Sequence, residues 1–274
     1  MSLDIVIPAH NEERRIGRTL EAYRSVINEP LARFLVALDQ CTDKTYEVVR
    51  SHARLDARVE IFEYPKLGKG GVLLETFRRC EADFIGFVDA DGATPPAEFM
   101  RLVDAAQSAD GAIASRSHPA SVLPTHRSLA RCLTSLVFAA LTRAIFGLPF
   151  RDTQCGAKVV RRQVVEQALP LLSARDFLFD VDLLLTAARL GFRIIEVPTV
   201  WLDQPGSHLK PVSDGRQMAA SSLSLWIHHH VFPVAAVVEA DVDGQGNRVS
   251  TRRRAGGAPD PTPTGTGGQS HASS

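Results

Sequence analysis

The chain of 274 residues is long enough for one large α/β domain or two small ones, and its 45% apolar content is ample for a hydrophobic core. Lys plus Arg and Asp plus Glu both number 31, so no overall basic field favours nucleic acid as a partner. The four cysteines lie far apart without the pairing of metal sites, which indicates free thiols in a reducing compartment. The first residues do not have the pattern of a signal peptide. We therefore expect an intracellular protein.

Short apolar runs alternate with helix-like segments through the first half of the chain. The predicted strands are residues 3–7, 34–38, 59–62, 84–88 and 111–114. The predicted helices are residues 12–27, 44–55, 71–80 and 96–107. This alternation predicts an α/β fold with a mostly parallel central sheet, covered by helices on both faces. Ligands of such sheets gather at the carboxyl ends of the strands.

The second half of the chain is less regular. Residues 127–150 are rich in Leu, Ala, Val and Phe, but Arg131 and Arg143 interrupt them, so the apolar runs are too short to span a bilayer. This pattern predicts an amphipathic helix that packs in the core or lies on a membrane surface. Residues 181–190 predict another helix, and residues 193–202 predict a further strand.

The C-terminal part divides into two segments by composition. Residues 217–238 contain no Asp, Glu, Lys or Arg, but three consecutive histidines, Ser-rich flanks and Pro233 argue against a stable membrane span. We predict an interfacial or docking helix over residues 213–240, with ordinary packing as the alternative. The histidines at 228–230 would point in three directions on a helix, so they cannot readily share a metal ion. Residues 241–274, rich in Gly, Pro, Ser and Thr, are expected to form a disordered tail.

Two carboxylates follow the fourth predicted strand, in the sequence Asp89-Ala90-Asp91. Side chains at positions i and i+2 of an extended backbone point the same way, so both can contact one ion while Ala90 leaves space for a ligand. Such oxygen ligands suit Mg²⁺ or Mn²⁺ bound against a diphosphate. Acids at a strand end are more often solvated loop residues than metal ligands, so the interpretation as a metal site depends on the other motifs of the sequence.

Polar or glycine-rich segments also follow the first three predicted strands. Residues 8–12 (Pro-Ala-His-Asn-Glu) follow the first strand, Asp39 follows the second, and residues 66–71 (Lys-Leu-Gly-Lys-Gly-Gly) follow the third. The glycine-rich segment opens a helix, so its amides and Lys69 can meet a phosphate. It lacks the spacing of Walker and dinucleotide-binding loops. The pattern predicts that four strand ends converge on one ligand site.

This ordered series of motifs resembles the family 2 glycosyltransferases. In that family the first motif opens the nucleotide pocket, and the aspartate that corresponds to Asp39 reads the base, although Gln40 and Cys41 replace the usual small residues here. The resemblance implies a GT-A fold, a Rossmann-like nucleotide-diphospho-sugar transferase domain, over residues 1–212. It implies that the following residues bind the nucleotide sugar: Pro8, Ala9, Asn11, Glu12, Asp39, Gly68, Lys69, Asp89 and Ala90. Asp89 and Asp91 are then the ligands of Mg²⁺ or Mn²⁺.

A second group of motifs narrows the resemblance. Residues 151–158 (Arg-Asp-Thr-Gln-Cys-Gly-Ala-Lys) are similar to the Asp-Thr-Gln-Cys-Gly-Phe-Lys signature of enzymes that load glucose or mannose onto dolichyl phosphate, with Ala157 in place of the aromatic. Residues 179–184, 196–198, 201 and 206–207 continue the match, and His208 replaces a lysine. The resemblance covers about residues 3–210. It implies inverting transfer of a hexose from UDP-glucose or GDP-mannose to a polyprenyl phosphate.

The chemistry of the acceptor decides which further residues the reaction needs. A lipid phosphate is already anionic, so it can attack C1 of the sugar without a general base but needs cations to hold it. The candidate cations are Arg116 and Arg131, supported by Arg127 and Lys158. The other predicted acceptor-binding residues are Gln154, Trp201 and Ser207.

A hydroxyl acceptor would instead require a carboxylate to take its proton. Asp180 and Asp182 are the available pair. Two positions apart on a helix, they are not expected to face the site together, and Asp180 is also well placed for a helix N-cap. An acid at the position of Asp182 recurs in the resembling enzymes, which favours Asp182 for a function on the acceptor side.

Three other functions stay open on the sequence alone. A family 2 transferase with a glycan or small-molecule hydroxyl acceptor would share the donor motifs. A sugar-1-phosphate nucleotidyltransferase would share the sheet and the metal, but the glycine-rich loop that it needs after Ile7 is absent. A membrane-associated module could bind the sugar nucleotide without turnover. For the favoured function we expect peripheral association with the cytoplasmic face of a membrane, and the sequence does not indicate an oligomeric state.

Overall fold

The structure is a computed structural model that describes residues 1–124, 140–202, 204 and 221–229. Within these ranges one sheet contains β1 (Leu3–Ala9), β2 (Ala32–Asp39), β3 (Val59–Tyr64), β4 (Phe84–Val88), β5 (Gly111–Ser115), β6 (Ala157–Arg161) and β7 (Ile194–Pro198). The helices are α1 (Ile16–Val26), α2 (Thr45–Leu55), α3 (Gly68–Phe77), α4 (Pro96–Ala106), α5 (Arg162–Ala168) and α6 (Phe179–Arg189). Residues 140–146 and 221–229 are also helical.

The strand order of the sheet is β3-β2-β1-β4-β6-β5-β7. The pairs β1–β2, β2–β3, β1–β4 and β5–β7 are parallel. Only β6 runs antiparallel to its neighbours β4 and β5 within the described part of the chain. The prediction of an α/β fold with a mostly parallel central sheet is therefore confirmed.

The central strands β1, β2 and β4 are mostly apolar because helices cover both faces of the sheet. Alternate side chains of β1 enter different cores, as the two-residue period of a strand requires. Ile5 packs in a cluster with Leu20 of α1 and Phe99 of α4, whereas Val6 packs in a second cluster with Phe179 of α6. This sandwich leaves the carboxyl ends of β1 to β4 at one edge of the sheet.

The helix at 221–229 packs against α6. Leu225 is buried in a third cluster with Val181 and Leu184 of α6 and with Leu148 and Phe150. Among the described residues, no helix is both long enough and apolar enough to cross a bilayer.

Two elements of the fold are not predicted by the sequence pattern. These are β6, whose short apolar run is interrupted by Lys158 and Arg161, and the short helix α5 that follows it. The predicted helix at 127–150 is described only from residue 140, and the predicted helix at 213–240 only at 221–229. The proposed tail at 241–274 lies outside the described residues. The division into three segments therefore stays a prediction.

Candidate active site

The loops after β1 and β2 meet at the carboxyl edge of the sheet. The Nδ1–H of His10 donates to the Asp39 carbonyl oxygen at 2.6 Å, and Asn11 Oδ1 accepts from the Thr42 amide at 2.8 Å. Asn11 (φ 57°) and Gln40 (φ 47°) hold left-handed backbone conformations that are uncommon outside glycine. Strained backbone of this kind clusters at functional sites. These contacts confirm that the first two strand ends converge.

Asp39 joins the third strand end to this edge. Its buried carboxylate accepts hydrogen bonds from Lys66 Nζ at 2.9 Å, from the Leu67 amide at 2.7 Å and from the Gly68 amide at 3.2 Å. Because these donors belong to the turn that opens α3, Asp39 fixes the position of that turn. Its contact with a nucleotide base stays a prediction.

Four charged side chains of alternating sign cross the centre of the site. Lys158 Nζ pairs with Asp180 Oδ1, and Asp180 Oδ2 lies 3.6 Å from Lys69 Nζ. Lys69 Nζ then lies 2.8 Å from Asp89 Oδ1. Both ammonium groups also lie over the ring of Phe87, 5.3–5.4 Å from its centroid, at cation–π distance.

Lys69 stays charged because carboxylates enclose its ammonium group. Burial lowers the pKa of Lys69, but the charges of Asp180 and Asp89 more than offset burial and raise the pKa overall. Lys158 is 1% exposed, and its ammonium also donates to the Cys155 carbonyl oxygen at 2.7 Å. The ammonium predicted to hold an acceptor phosphate is therefore enclosed by its own protein partners.

Asp89 and Asp91 follow β4 as a pair of carboxylates. Burial raises the pKa of Asp91, and the neighbouring Asp89 carboxylate raises it further. No group of three or more His, Cys, Asp or Glu side chains suited to a metal occurs in the part of the chain that the structure describes. Two neighbouring carboxylates of this kind fit a divalent ion whose other ligands come from a substrate's phosphates.

Arg116 and Asp152 form a second charged pair next to this centre. The Arg116 guanidinium donates from Nε to Asp152 Oδ2 at 2.7 Å and from Nη2 to Asp152 Oδ1 at 2.9 Å, and it lies over the Trp201 ring at 5.1 Å. Burial raises the pKa of Asp152, but Arg116 more than offsets burial and lowers it overall. Glu196 Oε1 accepts the Asp152 amide at 2.9 Å. The charge of Arg116 is thus paired within the protein.

The sequence that contributes these strand ends matches a known family. Residues 4–169 match the family described as Glycosyl transferase family 2. This chain belongs to the family 2 glycosyltransferases. The match covers more than half of the chain, so the predicted family and the predicted enzyme class, a glycosyltransferase, are confirmed.

Three relatives show how far the similarity of this glycosyltransferase extends. Glycosyltransferase AglD of Haloferax volcanii is 29% identical over 82% of this chain, which spans only 37% of that protein. A dolichyl-phosphate beta-glucosyltransferase of Dictyostelium discoideum is 28% identical over 79% of this chain and 71% of its own length. An undecaprenyl-phosphate mannosyltransferase of Micrococcus luteus is 30% identical over 73% of this chain and 83% of its own length.

A solved structure supports the fold of the glycosyltransferase. Glucosyl-3-phosphoglycerate synthase of Mycobacterium tuberculosis, in complex with Mn²⁺, UDP and glucosyl-3-phosphoglycerate, superposes with a TM-score of 0.64. The superposition covers 85% of this chain and 81% of the other, at 17% sequence identity. At that identity the likeness shows the fold alone, and together with the family match it confirms the predicted GT-A fold.

The structure separates the two acids of α6 in the glycosyltransferase. Residues two apart on a helix differ by about 200° around its axis, so Asp180 and Asp182 point to opposite sides. Asp180 faces Lys69 and Lys158. Asp182 is fully buried and accepts hydrogen bonds from the Ser173 and Ala174 amides and from His229. The resemblance favours Asp182 for the acceptor side, whereas in the structure it is Asp180 that shares the Lys69 ammonium with Asp89.

The remaining predicted residues lie at the same edge or outside the described ranges. Pro8 and Ala9 end β1, Glu12 pairs with Arg15 at 2.6 Å, and Gln154 Nε2 donates to the Phe177 carbonyl at 3.2 Å. The buried carbonyl of Ala90 accepts from Thr19 Oγ1 at 2.8 Å. Arg127, Arg131 and Ser207 lie outside the described residues.

One residue of the site is not singled out by the sequence pattern. Gly156 lies against Asp89, and a Cβ at Gly156 would be 1.9 Å from Asp89 Oδ2. Gly156 is the glycine of the Asp-Thr-Gln-Cys-Gly motif, so the motif itself could have pointed to it. Its contact with Asp89 could not be foreseen, because that contact depends on the antiparallel pairing of β6 with β4.

Proposed function

We propose that this glycosyltransferase transfers a hexose, glucose or mannose, from UDP-glucose or GDP-mannose to a polyprenyl phosphate. The family supports glycosyl transfer. The Dictyostelium and Micrococcus relatives are named for hexosyl transfer to dolichyl and undecaprenyl phosphate, which supports the acceptor class. Both hexoses stay candidates because the two relatives are named for different sugars.

One observation favours a phosphate acceptor over a hydroxyl acceptor. A hydroxyl needs a carboxylate that is free to take its proton. Both oxygens of Asp182 accept hydrogen bonds inside the protein, and Asp180 is held between Lys158 and Lys69. Because each oxygen of Asp180 faces an ammonium group, neither oxygen is free to take a proton from an acceptor. An acceptor that is already anionic needs no such base.

The donor side of the site is built to stabilise a departing nucleoside diphosphate. Asp89 and Asp91 would hold Mg²⁺ or Mn²⁺, which supplies positive charge to the diphosphate when bound. Lys69, at the N-terminal turn of α3, adds a cation whose position is set by Asp180. The other predicted nucleotide contacts surround this pair.

The acceptor phosphate oxygen would form a bond to C1 of the sugar while the bond from C1 to the diphosphate oxygen breaks. One direct displacement forms no enzyme-bound sugar and inverts the configuration at C1. Arg127 and Arg131 are the proposed cations for the acceptor phosphate. Arg116 would position the acceptor side through Trp201, because its own charge is paired with Asp152.

The proposed acceptor is a lipid, so the enzyme must reach a membrane surface. The helix at 221–229 buries Leu225 and exposes Leu223, Trp226 and Ile227, which lie three and four positions apart on one side. An exposed apolar stripe with a Trp suits the boundary of a bilayer. We propose peripheral association with the cytoplasmic face through this helix.

A labelled-donor assay tests the function. Radiolabelled UDP-glucose, UDP-galactose, GDP-mannose and GDP-glucose are each supplied with Mn²⁺ and polyprenyl phosphate, and label is counted in the organic phase. We expect one donor to label the lipid. Free polyprenol is the matched control, because it has the same chain with a hydroxyl in place of the phosphate, and we expect no product.

Other outcomes would support the alternatives. Label in polyprenol or in an aqueous glycan would indicate a hydroxyl acceptor. Release of pyrophosphate from a nucleoside triphosphate and a sugar phosphate would indicate a nucleotidyltransferase. Nucleotide binding by calorimetry without product from any acceptor would indicate a binding module.

A further inference from the structure

A buried pair joins the C-terminal helix to the rest of the protein. Asp182 is fully buried, and His229, on the helix at 221–229, is 3% exposed. The Nε2–H of His229 donates to Asp182 Oδ1 at 2.7 Å, since a carboxylate only accepts. The backbone of the same helix end is also held, because Arg189 Nη1 donates to the His229 carbonyl at 2.7 Å.

The other oxygen of Asp182 holds a loop. Asp182 Oδ2 accepts the Ser173 amide at 2.7 Å and the Ala174 amide at 2.8 Å. Charge-assisted hydrogen bonds of this length are about twice as strong as neutral ones. Asp182 therefore links His229 on one side to the start of the 173–178 loop on the other.

The 173–178 loop in turn packs against the first turn of α3. The Arg175 carbonyl accepts the Gly71 amide at 2.9 Å. A Cβ at Gly70 would lie 2.7 Å from the Arg175 carbonyl carbon and 2.8 Å from Asp176 O. Two backbones in direct contact leave no side chain to absorb a shift, so a movement of the loop moves the turn that carries Lys69.

We propose that Asp182 and His229 are positioning residues. The pair fixes the 173–178 loop, the loop fixes the first turn of α3, and that turn sets Lys69 against Asp89 and Asp180. Asp182 then acts through Lys69 rather than on an acceptor proton. The inference uses the proposed function in one respect only, namely that Lys69 helps to bind the donor's diphosphate.

Hydrogen exchange and nucleotide binding test the link without acceptor or sugar. In His229→Ala, Asp182 Oδ1 keeps only the longer contact from Thr186 Oγ1 at 3.4 Å, so we expect amide exchange to rise about tenfold at residues 173–174 and also at Gly71. Affinity for UDP or GDP with Mn²⁺, whichever nucleotide the wild type binds, is expected to fall about threefold to tenfold. His229→Gln places an N–H near the same position and is expected to restore both.

Ser224→Ala is the matched control, because Ser224 lies on the same helix but its side chain is exposed to solvent. We expect it to leave exchange at Gly71 unchanged. Faster exchange at 173–174 with unchanged exchange at Gly71 in His229→Ala would show that the link ends at the loop and overturn the proposal. So would a failure of His229→Gln to restore protection.

Asp182→Asn separates positioning from proton transfer. If Asp182 positions Lys69, this variant raises amide exchange at Gly71 and weakens nucleotide binding. If Asp182 were an acceptor-side base, turnover would be lost while exchange and nucleotide binding stayed as in the wild type, which would overturn the proposal. Because neither readout uses a sugar or a lipid, a failed donor assay would leave this result intact.

Discussion

The carboxylate of Asp89 lies directly against Gly156. The Asp89 amide donates to the Gly156 carbonyl at 3.0 Å, and a Cβ on Gly156 would lie 1.9 Å from Asp89 Oδ2. This contact exists because β6 runs antiparallel to β4 and brings the end of the 151–156 motif to the end of β4. Gly156 therefore leaves the space that the Asp89 carboxylate occupies.

Gly156→Ala is expected to displace the Asp89 carboxylate from this position. The affinity of the protein for Mn²⁺ together with the donor nucleotide should fall at least about tenfold. This corresponds to a loss of at least about 1.4 kcal/mol of binding free energy. The melting temperature should change little, because the clash is with the end of a side chain that can rotate. Gly17→Ala, whose Cβ would meet Val48 Cγ1 at 3.1 Å, is the control for a glycine away from the site. Unchanged calorimetric affinity in Gly156→Ala would contradict the assignment of Asp89.

Lys69 would compete with a divalent ion for Asp89. Its ammonium lies 2.8 Å from Asp89 Oδ1, so an ion bound there meets an existing positive charge. In Lys69→Gln we expect Mn²⁺ alone to bind several-fold more tightly, and nucleotide diphosphate with Mn²⁺ about tenfold more weakly. Titration calorimetry measures both.

Lys66→Gln is the matched control for the metal titration, because Lys66 belongs to the same turn but pairs with Asp39. It should leave the affinity for Mn²⁺ alone unchanged. If Lys69→Gln weakened both bindings in parallel, Lys69 would be a structural residue of the site and not a competitor of the ion.

The predictable parts of this site depend on patterns local in the sequence, whereas the unpredictable parts depend on contacts between residues far apart in the sequence. The strand ends at Asp39 and Asp89 are predictable because each follows a continuous apolar run, and parallel strands bring their carboxyl ends together. The strand β6 is not predictable from the sequence, because a lysine such as Lys158 is expected at the protein surface. Its burial depends on Asp180, twenty-two positions away, which neutralises the charge. Such a pair is visible only once the chain is folded.

The two acids of α6 show the same limit. Helical periodicity predicts that Asp180 and Asp182 point apart, and they do. Which of them faces the ligand depends on how α6 is rotated against α3, and packing of Phe179 against Phe77 and Phe87 decides that rotation. Those contacts join residues about a hundred positions apart in sequence, so local pattern carries no information on them.

Asp91→Asn is expected to abolish sugar transfer, by at least about a hundredfold, with the fold retained. The amide keeps an acceptor for the Ala93 N–H, which Asp91 Oδ1 now binds at 2.9 Å, but it loses the charge that a divalent ion needs. Transfer of label and the circular dichroism spectrum check the two parts. Turnover at the wild-type rate would rule out Asp91 as a metal ligand.

We expect Asp91 to make the stability of the metal-free protein depend on pH. Burial and Asp89 raise the pKa of Asp91, so the folded protein binds a proton there more readily than the unfolded chain. The ionised carboxylate therefore destabilises the metal-free fold at neutral pH, and this penalty disappears as the pH falls through the raised pKa. Asp91→Asn should be more stable than the wild type near pH 7 without metal, and the difference in unfolding free energy should shrink on acidification. Urea titrations with a chelator at several pH values measure it.

We expect Asp152 to have the opposite effect on the pH dependence of stability, because Arg116 lowers the pKa of Asp152 overall. Its ionised form stabilises the fold above the ordinary carboxyl pKa, and that stabilisation is lost as the pH falls through the lowered pKa. Asp152→Ala leaves the Arg116 charge without its partner, so the free energy of unfolding should fall by about 3 kcal/mol, at the lower end for buried pairs because Arg116 keeps some solvent contact. Combining it with Arg116→Met removes the unpaired charge and should recover part of the loss in urea denaturation. An equal or larger loss in the double variant would show that packing of Arg116 on Trp201, and not the ion pair, supports this side of the site.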